Sequence, residues 1–218
     1  MDESLLETLP LPHRLALSYA PASAKPDTLA LLALDARLAG IVRGNGEAII
    51  AQMKLAWWRD RLSSDPADWP LGEPLLAKLQ NWSGDVSRLV GLVNGWEALL
   101  SETLDRGVIT AFARGRALAW AALRDGLVSN STNRPIEQAA QEVALLDLTH
   151  NLSQGEEADL AKSLCAKESW QRPSLPRKLR TLAVLHALSR RAMREGRPHL
   201  LDGGGAMLLA MRVGITGR

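Results

Sequence analysis

From Leu29 through Val42 the apolar positions 30, 31, 34, 38, 41 and 42 keep a three-to-four spacing, which lines one side of a helix and no side of a strand. Asp35 and Arg37 lie off the centre of that stripe. Stripes of the same period recur along the chain, separated by Pro, Gly and Asp clusters. The apolar 46% is carried mainly by Ala and Leu, with only 4% aromatic residues, so the β-branched and aromatic enrichment that strands favour is missing. The fold class expected is therefore all-α. A chain of 218 residues is long enough for one sizeable core or two small ones.

Helix punctuation divides the chain further. A first helix runs from about Pro12 to Ala20 and is broken by the prolines from Pro21 to Pro26, since proline excludes continuation. Asp27 can cap the next helix, which Gly44-Asn45-Gly46 ends. Further helices are expected over 48–62, 74–82, 85–105, 108–127, 135–153, 156–167, 176–195 and 203–213. The helix over 108–127 is rich in Ala and Gly, which permits close approach by a neighbouring helix or an elongated ligand. No internal repeat appears, so residues 1–218 are read as a single domain, with the loop Ser129–Pro135 as the best place for a break.

Self-contained chemical motifs are missing. His13, His150, His186 and His199 are scattered, without the spacing of a zinc site. Gly203-Gly204-Gly205 lacks the Lys-Ser/Thr of a phosphate loop, and neither GxSxG nor GxGxxG occurs. The lone Cys165 fits a reducing compartment, as a small buried hydrophobe. The N-terminus begins acidic and has no signal-like apolar core, and no apolar run approaches the roughly 18 residues of a spanning helix. The expectation from these features is a cytoplasmic protein, with peripheral contact at the inner membrane face left open.

The formal charge of +2 conceals an asymmetry: residues 170–218 hold ten Lys/Arg against Glu195 and Asp202. A basic segment of this kind suits an anionic membrane surface, a diphosphate or a nucleic-acid backbone, or neutralises an acidic body. No recognised reader motif supports nucleic acid.

The segment AQMKLAWWRDRL places Trp57 and Trp58 between positive charges. Ile49, Met53, Ala56 and Trp57 share one stripe, which makes Trp57 the expected core anchor. Trp58 and Arg59 are then placed at a cavity rim, indole beside an apolar chain and guanidinium on a phosphate. Arg37, Arg43 and Lys54 are candidates to join them.

The stretch ALLALDARLAGIVRGNGEAIIAQMKLAWWRDRL resembles the N-terminal part of the squalene/phytoene synthase family, and GRALAWAALRDGL is similar to that family's small-residue helix. RPSLPRKLRTLAVLHALSRRAM and MRVGITGR resemble the C-terminal helices of its degenerate relatives. The resemblance implies an isoprenoid-synthase-type helical bundle around a central cavity, in which head-to-head prenyl transfer joins two farnesyl or geranylgeranyl diphosphates.

That chemistry needs Mg²⁺ held by carboxylates on facing helices, because hard cations demand oxygen ligands. The first Asp-rich cluster should fall at Ala39–Arg43, where no carboxylate remains and Arg43 stands in place of the last Asp. The second should follow Asp147-Leu148-Thr149-His150-Asn151, where Gln154 replaces an Asp and Glu156, Glu157 and Asp159 read as a solvated helix start. The chain is thereby expected to be a non-catalytic relative, similar to complex I assembly factors of that family, that binds an isoprenoid or other lipid or a partner protein, without a metal. The competing expectation is an active prenyltransferase using Mg²⁺ on Asp35 and Asp147.

Overall fold

Prolines open helices throughout this chain. Pro12, Pro26, Pro74 and Pro135 sit in first turns, where the missing N–H costs nothing and the fixed φ suits the helix. The computed structural model describes residues 2–44, 46–123 and 133–217. Among these residues it is all-helical, with α1 Asp2–Glu7, α2 Leu11–Ser18, α3 Lys25–Val42, α4 Ala48–Ser63, α5 Pro74–Leu79, α6 Val90–Ala98, α7 Arg106–Ala122, α8 Arg134–Asn151, α9 Glu156–Lys167, α10 Arg180–Glu195 and α11 Gly204–Thr216. The expected end of a helix at 127 and most of the 129–135 loop lie outside the described residues.

α3 is the central strut of the N-terminal half and packs on α1, α2, α4, α5, α6 and α7. α8 lies between α7 on one side and α10 on the other, α9 packs on α8, and α10 also receives α2 and α11. One continuous core of Leu, Ala and Trp side chains runs through these layers. Its Ala-rich character lets helices approach closely, and six of the seven tryptophans fill the larger spaces between them.

The structure corrects several sequence expectations. α3 is buried nearly all round from Thr28 to Asp35, so Asp35 belongs to the interior, whereas Ile41 and Val42 are only partly covered. The span 85–105 is not one helix. Asp85 accepts from Ser87 N at 3.0 Å and starts a tight 3-10 turn over 86–89, and Asp105 accepts from Val108 N at 2.8 Å to begin α7 anew. α4 buries Leu55, Trp58 and Leu62 at i, i+3 and i+7, so Trp58 is the core anchor, 3% exposed, and Trp57 is at the surface, 38% exposed. Two apolar stripes compete on this helix. The one ending in Leu62 wins because it offers a leucine on each side of the indole, while the other is left facing outward as Ile49, Ile50, Met53 and Trp57.

Candidate functional site

The small residues of α6 and α7 set the position of the most unusual group in the protein. Gly91 and Gly95, one turn apart on α6, face Gly115 on α7. A Cβ on Gly115 would collide with the Gly91 carbonyl and lie 3.0 Å from Gly95 Cα. The tight approach expected of the small-residue helix is thus to a neighbouring helix. It aligns the residues that follow each glycine, Trp96 and Arg116, at the centre of the bundle.

Arg116 is buried, with Phe112, Ala113, Ala119 and Trp120 packed around it on its own helix. Its Nη2 donates to Asp35 Oδ2 on α3 at 2.6 Å and its Nη1 to Asp147 Oδ2 on α8 at 2.8 Å. Trp96 Nε1 donates to the other Asp35 oxygen at 2.7 Å, and Asn151 Nδ2 donates to Asp147 Oδ1 at 3.2 Å. The guanidinium lies 5.8 Å from the Trp96 ring centre and 5.5 Å from that of Phe112, close enough for cation–π attraction. Arg43, just past α3, sits 5.7 Å from the Trp96 ring centre and 4.0 Å from Asp147.

The charges within this cluster balance. Burial disfavours the Arg116 cation, yet Asp35 and Asp147 outweigh it and keep the guanidinium protonated at any accessible pH. Burial likewise works against the Asp147 carboxylate, and Arg116, with His13 and Arg43, overcomes it and holds its pKa below the usual value. His13 on α2 faces the same cluster. Its burial, with the Arg116 cation, lowers its pKa, and Asp147 and Asp35 only partly oppose this.

Two carboxylates from facing helices therefore converge, but on an internal arginine. A divalent cation requires open oxygen lone pairs, and the inner oxygens of Asp35 and Asp147 are committed to Arg116. Among the described residues no group of three or more His, Cys, Asp or Glu side chains is placed to hold a metal ion. The residues present do not fit Mg²⁺. At the start of α9, Glu156, Glu157 and Asp159 face solvent. Glu157 accepts from Leu104 N at 2.8 Å and Asp159 pairs with Lys162 at 3.3 Å.

The other candidate residues gather elsewhere. Arg37, Lys54 and Trp58 line a cavity of about 610 Å³ between α1, α3, α4 and α5, with Trp57, Ile50 and Ile41. Arg37 is turned towards Glu73 at 3.5 Å. Arg59 does not join it: it donates to Asn94 at 2.9 Å and pairs with Glu97 on α6. The seven sequence candidates thus fall into Asp35, Arg43 and Asp147 around Arg116, then Arg37, Lys54 and Trp58 at the groove, with Arg59 apart.

Sequence reasoning missed Arg116 and a second buried pair. Glu142 on α8 and His186 on α10 meet at 2.6 Å, each almost wholly buried. The same carboxylate accepts from Trp170 N at 3.0 Å and from Ser169 Oγ at 3.3 Å, and the Trp170 ring stacks on His186. This holds Trp170 at φ +49°, a left-handed conformation a tryptophan rarely adopts. The signal for Arg116 was present in the sequence as a guanidinium flanked at helical spacing by Phe112, Ala113, Ala119 and Trp120 alone. Glu142 has no comparable signal, because its partner lies 44 positions away.

Comparison of the chain with protein-family models, curated proteins and solved structures finds no match. Among the described residues no helix is long and apolar enough to cross a membrane.

Proposed function

We propose that this protein is a non-catalytic, squalene/phytoene-synthase-like binder of an isoprenoid or similar lipid chain, serving partner assembly in the manner of the complex I assembly factors its sequence resembles. The observation that carries the reading is Trp57. It is the one tryptophan of the seven that is not buried, and it lines the 610 Å³ groove together with Ile50. Large exposed apolar side chains that neighbour one another mark a binding surface. Ile49 and Met53 continue that surface along α4. Lys54, at the rim, suits an anionic end group, and the groove is large enough for a lipid-sized ligand.

The Arg116 cluster supports the non-catalytic half of the proposal. Ionising an allylic diphosphate needs metal ions that neutralise the leaving group, and the facing carboxylates here are neutralised by a side chain. The test is incubation with labelled farnesyl and geranylgeranyl diphosphate and Mg²⁺, with tryptophan fluorescence followed in parallel. Quenching in the wild type without turnover, and calorimetric binding that weakens in Trp57→Ala, is the expected result. Formation of squalene, phytoene or a presqualene-type product overturns the non-catalytic reading, and no quenching by either prenyl compound overturns the lipid-binding one.

A further inference from the structure

The C-terminal helices form a second cavity, of about 390 Å³. On α10, Ala183 and Ala187 precede Arg190 and Arg194 at i, i+4, i+7 and i+11, so all four lie on one stripe. The opposite face, with Leu182, Leu185 and Leu188, is buried in the core. The two alanines are too small to fill the space against α11, and they leave an apolar floor shared with Leu209 and Val213.

The walls are cationic. Arg172, Arg190, Arg191, Arg194 and Arg212 line the cavity, and Glu195 is the carboxylate among its lining residues. Glu195 is already committed to Arg191 at 3.0 Å and Arg197 at 3.1 Å, and Arg191 also donates to the Asp202 carbonyl at 2.8 Å. No carboxylate among the described residues forms an ion pair with Arg172, Arg190, Arg194 or Arg212. Arg190 Nε is buried without any hydrogen-bond partner, although a buried guanidinium nitrogen is ordinarily satisfied. Burial and the nearby Arg194 and Arg172 press the Arg190 pKa downward and outweigh the attraction of Glu142.

We infer that this cavity binds a phosphate-type dianion, a diphosphate or phosphomonoester group, held by the guanidinium forks of Arg190, Arg194, Arg172 and Arg212. Planar guanidinium forks match phosphate oxygens bidentately. Carboxylate ligands carry fewer acceptor oxygens and less charge than four unpaired cations call for. The group arrives either on a soluble molecule or as a lipid headgroup. Met207, Leu208, Met211 and Ile215 are exposed on α11 beside Arg212, so both sources reach the same arginines. The inference is independent of the groove at Trp57.

The test is calorimetric titration of the full chain with pyrophosphate and inorganic phosphate, and co-sedimentation with phosphatidylcholine vesicles with and without phosphatidic acid. Arg190→Ala with Arg194→Ala is expected to weaken binding about tenfold or more, because hydrogen bonds to charged groups are worth that much. Trp57→Phe is expected to leave it unchanged. Arg190→Lys keeps the charge and loses the fork, and is expected to fall between. Removing both cations relieves repulsion among these arginines, so the ligand-free melting temperature of the double variant should equal or exceed that of the wild type, which establishes that it folds. Pyrophosphate binding that the double variant loses identifies a soluble ligand, and vesicle binding alone that it loses identifies a headgroup. Neither probe binding, or binding that the double variant retains, overturns the inference.

Discussion

Arg116 and Asp35 meet at 2.6 Å across α7 and α3, with side chains 6% and 12% exposed, although 81 positions separate them. An ion pair this far from water is best retained when both carboxylate oxygens are hydrogen-bonded. Asp35 meets that condition, one oxygen accepting from Trp96 and the other from Arg116.

Removing the cation strands both carboxylates. Arg116→Ala is expected to destabilise the fold by about 3–5 kcal/mol, the range for breaking a buried pair from one side. Urea denaturation measures it. The same variant should change the acid limb of stability. Asp147 has a folded pKa below its unfolded value, so it contributes stability above about pH 4 that is lost as the pH falls further. In Arg116→Ala that loss should shrink. A triple change, Arg116→Met with Asp35→Asn and Asp147→Asn, should cost less than Arg116→Ala alone, because no carboxylate is left stranded and the cation released, Arg43, is half exposed.

The contrast between α3 and α4 explains what was legible in the sequence. In α3 the helix and its end near Val42 follow from a long Ala/Leu-rich run closed by Gly44-Asn45-Gly46, although its burial on nearly every side does not. In α4 Ile49/Met53/Trp57 and Leu55/Trp58/Leu62 are both acceptable stripes, and only the neighbouring helices decide between them. Helix α9 was readable to the residue because Gly155 and the acidic first turn mark its start. The six-residue α1 was not, being too short for periodicity. Asp35 and Asp147 were identifiable as carboxylates of interest from resemblance, but their capture by Arg116 depends on a packing geometry created by three glycines on two helices.

Those glycines make a direct comparison possible. Gly115→Ala forces α6 and α7 apart at a backbone contact, and is expected to cost about 1–3 kcal/mol or more, as overpacking does. Gly40, inside α3, has nothing within 4 Å of an added Cβ. Gly40→Ala is expected to stabilise by about 0.5–1 kcal/mol through helix propensity. Thermal melts of the two variants should move in opposite directions. Equal shifts would show that the helix contact does not depend on Gly115.

Two histidines set a second pH dependence. Burial lowers the pKa of His13 and of His150 below the usual 6.5. The unfolded chain therefore takes up protons near pH 6.5 while the folded one resists, and stability present above that value declines as the pH drops through it towards the lowered folded values. The urea midpoint is expected to fall from pH 7.5 to pH 5.5, and His13→Gln with His150→Gln to flatten that slope. A slope unchanged in the double variant would assign it to other groups.

The adjacent tryptophans should separate stability from binding. Trp58 is packed between Leu55 and Leu62 in the core, so Trp58→Ala is expected to cost about 3–5 kcal/mol, the range for emptying a large buried aromatic site. Trp57 meets Trp58 edge-on, with ring centres 5.1 Å apart, but keeps its outer face in solvent. Trp57→Ala should therefore cost well under half as much. If the groove holds an isoprenoid chain, Trp57→Ala lowers farnesyl binding in a fluorescence-independent assay such as calorimetry while the melting temperature changes little. Should Trp57→Ala instead unfold the protein as readily as Trp58→Ala, its exposure has no functional meaning and α4 is held by both rings.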